Sequence, residues 1–126
     1  MPPRVAIIAC EGGSDYRSTE IFGLVTACLN SGAGLVTTTR WTLPSDHSMR
    51  RYGAVAEIPG PTTELALAVD AAHRTADPVA ALNSWQRDKL ARWRATGHDS
   101  MQHSPLVWAS ITDHQCDWRA VQRKTA

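Results

Sequence analysis

Cys10 is the residue whose type and surroundings best suit chemistry. It ends the apolar run Val5–Ala9 and is followed by Glu11, Gly12 and Gly13. Five consecutive apolar residues are too few for a helix and suit a strand covered on both faces. The carboxyl end of such a strand is where open α/β sheets gather ligands and reacting groups. Gly12 and Gly13 let the backbone turn sharply there. The ordinary alternative is a small buried residue at a strand end. A thiol at its free pKa is a poor nucleophile at neutral pH without a base or a positive neighbour. All five histidines, His47, His73, His98, His103 and His114, follow Cys10. His73 is expected on a helix surface. His47 falls in a loop expected on the same rim as Cys10. It reads first as a solvated loop residue, and topology alone also allows it as a substitute base.

Other chemistry is poorly supported. His98, Asp99, His103, His114 and Cys116 cluster in sequence, but their spacings H-x4-H and H-x-C match no closed zinc pattern. No metal is expected. The Gly12-Gly13 turn before a helix could receive an anion. It lacks both G-x-G-x-x-G and the P-loop lysine, so no nucleotide or other cofactor is expected.

The elements that must position these groups follow from the pattern. Ser18 or Thr19 can cap a helix with Glu20 in its first turn, where a negative charge suits the helix end. Ile21, Phe22, Leu24, Val25, Cys28 and Leu29 give it an apolar face, so Cys28 reads as core. Gly32 suits a left-handed cap. Leu35–Thr39 is β-branched and reads as a second strand, parallel to the first in a βαβ unit. Arg40–Pro61 is expected to be a long irregular loop on the Cys10 rim. Thr62 or Thr63 then caps a helix with Leu65, Ala68, Val69 and Ala72 inward. Asp77-Pro78 opens another helix to about Thr96, with Gly97 past its end. Arg87, Lys89, Arg92 and Arg94 would form its basic, solvated outer face. Pro105–Thr112, with Trp108, reads as a third strand, its proline best tolerated on an edge. Asp113 onward reads as a polar tail. The order is β-α-β-loop-α-α-β, an α/β fold with a small, mostly parallel sheet.

Composition bounds the function. The chain has 126 residues, 43% hydrophobic and 20% charged, which suits one soluble domain. A formal charge of +1 gives no argument for nucleic acid or an anionic membrane as partner. Three cysteines without CxxC spacing suggest reduced thiols and a cytoplasmic setting. The opening Met1-Pro2-Pro3-Arg4 lacks a secretory pattern, and no stretch approaches the ~20 apolar residues a membrane span needs. The first strand has the strongest buried signature yet few partners in sequence. An unprotected apolar edge associates, so a homodimer or a complementary chain is expected along Val5–Ala9.

Several segments together resemble a known family. Ala9-Cys10-Glu11-Gly12-Gly13, Phe22-Gly23-Leu24, Leu29-Asn30-Ser31-Gly32-Ala33 and Val36–Trp41 look like the second half of a CHAT domain. That family comprises caspase-like, separase-related cysteine peptidases. Asp77–Leu82 resembles its penultimate helix and Ser104–Ala109 its last strand, so the similarity runs in order from about residue 4 to 113. The resemblance implies a three-layer caspase-like half-domain over residues 1–114, with 115–126 as a tail. It places Cys10 at the nucleophile and Gly12 or Gly13 at the turn beside the reacting carbonyl. Trp41 and Asp46 would match residues of the substrate pocket, although Arg40 stands where relatives carry leucine. The family's histidine precedes the cysteine strand, and this chain starts four residues before that strand. The expectation is therefore a partial caspase-like domain, inactive alone, that acts by self-association or partner binding. The alternative is a cysteine endopeptidase, acting on peptide or protein, completed in trans by a chain that supplies the histidine.

Overall fold

The computed structural model of the chain describes residues 1–9, 18–53, 55–97 and 100–125. Three strands form one sheet: β1 (Arg4–Ile7), β2 (Leu35–Thr39) and β3 (Ile111–Gln115). Six helices accompany them among the described residues. They are α1 (Ser18–Asn30), α2 (Asp46–Tyr52), α3 (Pro61–His73), α4 (Pro78–Thr96), α5 (Pro105–Trp108) and α6 (Trp118–Thr125). The fold is α/β, as the pattern predicts.

The sheet is mixed, with order β1-β2-β3. β1 runs parallel to β2, Arg4 opposite Leu35 and Ile7 opposite Thr38. β3 runs antiparallel to β2, Thr37 opposite Asp113 and Val36 opposite His114. This corrects the expectation of a mostly parallel sheet. β2 is therefore the central strand, and all five of its residues are buried. β1 is only half-buried, and its Ala6 is exposed. The strand with the strongest apolar signature thus lies at the sheet's edge, and the threonine-rich strand takes the centre.

Side chains alternate across a strand, and two apolar clusters result. On one face Val5, Ile7 and Val36 meet Val25, Cys28 and Leu29 of α1. Cys28 is half-buried there, as its helical spacing predicts. The larger cluster on the other face joins Leu43, Met49, Leu65, Val69, Leu82, Val107 and Ile111, with Ile8 and Trp85 packed against it. Leu65 and Leu82 are buried almost completely, each contributing about 1.5–3 kcal/mol.

Helix ends explain several boundaries. Gly32 closes α1 with φ 103°, the left-handed conformation that glycine adopts without strain. The Asp77 carboxylate accepts from Ala80 N at 3.0 Å, and Pro78 fills the first turn of α4. The segment read as one long loop contains α2, because Ser45 caps it by accepting from Ser48 N. α3 starts at Pro61, with Gly60 rather than Thr62 or Thr63 in the cap position. The expected third strand is displaced. Ser104 accepts from Leu106 N and Pro105 occupies the first turn, so 105–108 coil into α5 and Trp108 is helical. The strand is Ile111–Gln115, which keeps Ile111 and Thr112 of the expected strand and runs on into residues whose polarity suggested a tail. The remaining tail forms α6, capped where Asp117 accepts from Ala120 N.

Candidate functional site

The carboxyl ends of β1 and β2 form the rim on which the sequence places its chemistry. Ala9 is pinned there twice: its N–H donates to Thr39 Oγ1 at 3.3 Å, and its carbonyl accepts from Leu43 N at 3.0 Å. Cys10, Gly12 and Gly13 lie outside the described residues.

Trp41 stands on this rim, 40% exposed, and its Nε1–H donates to the Leu106 carbonyl at 2.8 Å. That bond ties the loop after β2 to α5. Asp46, in the first turn of α2, points at the start of α3. One oxygen accepts from Thr62 N at 2.9 Å; the other accepts from Thr63 N at 3.2 Å and from the Thr63 hydroxyl. The carboxylate therefore serves the positive end of α3, a role that Gly60 cannot fill. Gly60 is needed for this approach, since a Cβ there would stand 2.4 Å from Asp46 Cγ. His47 is exposed on α2.

Beside α2 an open cleft of about 580 Å³ is lined by Pro44, Ser48, Met49, Tyr52, Gly53 and Met101. Its wall is mainly apolar. Arg51 lies over the Tyr52 ring, 5.5 Å from its centroid.

Two buried polar groups, which sequence reasoning did not assemble, flank the core. The first is built on α3, α4 and the segment before α5. Lys89, expected on the solvated face of α4, is only 4% exposed. Its ammonium donates to both Glu64 oxygens at 3.1 and 3.0 Å and to His103 Nδ1 at 3.1 Å. The Gln102 carbonyl lies 3.4 Å away, and Gln102 Nε2 donates to Glu64 at 3.2 Å. Arg87, Arg92 and Arg94 remain exposed, so the basic face survives without its lysine.

The second group crosses the sheet. The Thr37 hydroxyl donates to Asp113 Oδ1 at 2.6 Å and lies 2.8 Å from His73 Nε2. A hydroxyl has one proton, and Asp113 takes it, so His73 Nε2–H donates to the Thr37 oxygen. His73 is thus a half-buried anchor rather than a surface residue. Its carbonyl also accepts from Arg4. In this chain of bonds the hydroxyl sits in the middle and the imidazole is not its base. With Thr37 1% exposed, the group fastens α3 to the sheet. Burial pushes the His73 ring below the usual histidine range; Arg4 acts in the same sense, and Asp113 and Asp70 oppose it.

The sequence signals for these groups are faint. The Thr37-Thr38-Thr39 run in a buried strand announces hydroxyls that need partners. Nothing local distinguishes Lys89 from the arginines around it.

Among the described residues no cluster of three or more His, Cys, Asp or Glu could hold a metal ion. None of the described helices is long and apolar enough to cross a membrane. The chain matches no family model, no curated protein and no solved structure.

Proposed function

We propose that this chain is a partial caspase-like unit of CHAT type, inactive alone, that works by pairing with a second copy of itself along β1. The observation that carries this reading is the contrast between β1 and the rest of the sheet. β1 lies at the end of the strand order, and among the described residues no strand pairs with its outer side. Val5–Ala9 contains no charge to discourage association. Ala6 is exposed on the face where α3 covers the neighbouring Thr37. Two β1 edges related by a two-fold axis would be self-complementary and would extend the sheet.

Inactivity alone is supported by where the histidines go. Among the described residues His73, His103 and His114 are engaged by Thr37, Lys89 and Thr38. His47 is the exposed exception.

Light scattering at micromolar concentration is expected to give twice the chain mass, and Ala6→Lys, which places a charge on β1, is expected to give the monomer with unchanged circular dichroism. A wild-type chain that stays monomeric overturns the reading.

A further inference from the structure

The segment 101–108 joins the buried charge cluster to the rim. Met101 lines the cleft, and Gln102 and His103 contact the Glu64–Lys89 pair. Leu106 receives Trp41, and the Trp108 indole donates to the His103 carbonyl at 2.8 Å. Gln86 on α4 donates to the Trp108 carbonyl at 2.9 Å. One short stretch thus holds a wall of the cleft and the tryptophan of the rim.

Its attachment depends on a protonation state. An ammonium has protons only to give, so His103 Nδ1 must accept from Lys89, and the ring must be neutral with its proton on Nε2. Protonated, the ring loses that lone pair and sets a second cation 3.1 Å from the first. The charged groups acting on His103 are Lys89 and Arg92 on α4, Glu64 on α3, and Glu57 in the loop before α3.

We propose that His103 is the catch of an acid-released latch: while its ring is neutral, Lys89 holds 101–104, the segment before α5, against α3 and α4, and protonation frees that segment from the cleft. Burial first, and Lys89 next, push the His103 ring below the ordinary value of 6.5, with the two glutamates opposing. The latch therefore stays shut near neutrality and opens in mild acid. Gln102 Oε1, in the same segment, is buried without a hydrogen-bond partner among the described residues.

Methyl NMR of the three methionines tests this in the full chain, since Met49 and Met101 both line the cleft. Between about pH 7.5 and 5, where histidine titrates, the Met101 signal is expected to move in step with the His103 ring, while far-UV circular dichroism stays constant. His103→Asn places an amide oxygen near Nδ1 and cannot titrate, so its Met101 signal is expected to stay put. His103→Lys, a fixed cation, is expected to show the acid position already at pH 7.5. A wild-type Met101 signal that ignores the ring's titration, or that moves equally in His103→Asn, overturns the latch. Loss of circular dichroism alongside the shift also overturns it, since that is global unfolding. Should His103→Lys fail to fold, the wild-type and His103→Asn comparison decides alone.

Discussion

His73 and His103 are both half-buried, and burial pushes both rings below the ordinary histidine range. They use the ring in opposite ways. His73 donates through Nε2–H to Thr37, so a second proton on the ring leaves that bond in place. His103 accepts from Lys89, so a proton there destroys the bond. The neighbours differ accordingly: Asp113 stands behind Thr37 and favours a cationic ring, whereas Lys89 opposes one. Protonation of these two rings, both shifted downward in pKa, therefore has different structural consequences. It leaves α3 fastened to the sheet and loosens the segment before α5.

The largest effect that would sharpen this contrast comes from Glu64. Glu64→Gln leaves Lys89 buried beside no carboxylate, which is expected to cost about 3 kcal/mol in urea unfolding. Lys89→Met should cost less, about 2 kcal/mol, because the Glu64 side chain is 27% exposed and can turn to water. The double variant Glu64→Leu/Lys89→Met is expected to recover most of the loss, since apolar packing can replace a buried pair. A double variant as unstable as the sum of the singles would show that the cluster is not a closed unit.

Thr37→Val is the matching change at the other histidine. It keeps the shape, removes the hydroxyl between His73 and Asp113, and is expected to cost about 1–2 kcal/mol. It should leave the pH response of Met101 unaltered. A Met101 response lost in Thr37→Val would join the two clusters and break the comparison.

The smallest effect is on stability against pH. A histidine held neutral in the fold contributes stability that is complete above its unfolded value of 6.5. That stability is lost as pH falls from there through the lower folded values, because the unfolded chain binds the proton first. Both histidines act in this direction, so the urea midpoint is expected to fall on mild acidification. His103→Asn should remove the part due to His103 and keep the part due to His73. An unchanged slope in that variant would assign the whole effect to His73.

Much of the frame is legible in the chain. The βαβ opening needs only a five-residue apolar run, one helical face and a β-branched run. Asp77-Pro78 and Gly97 bracket α4 through local chemistry, and Gly32 ends α1 the same way. The failures share a cause. Asp113–Gln115 looks like tail because its residues are polar; it belongs in a strand because Thr37 and Thr38 face Asp113 and His114 from β2. The start of α3 is not legible in the sequence because Asp46, sixteen residues before Thr62, supplies the cap from another helix. Lys89 resembles the surface arginines beside it until Glu64 is brought across from α3.

By itself, then, the sequence determined the βαβ opening, the two long helices and the α/β class, because periodicity and capping act within a few residues of chain. Tertiary structure alone decided which strand is central, which edge is open and which charges are buried. Those depend on groups from β2, β3, α3 and α4 that meet across tens of residues. The same holds for the rim: Trp41 and Asp46 are visible as residue types, but their partners, Leu106 and the start of α3, exist only once the chain has folded.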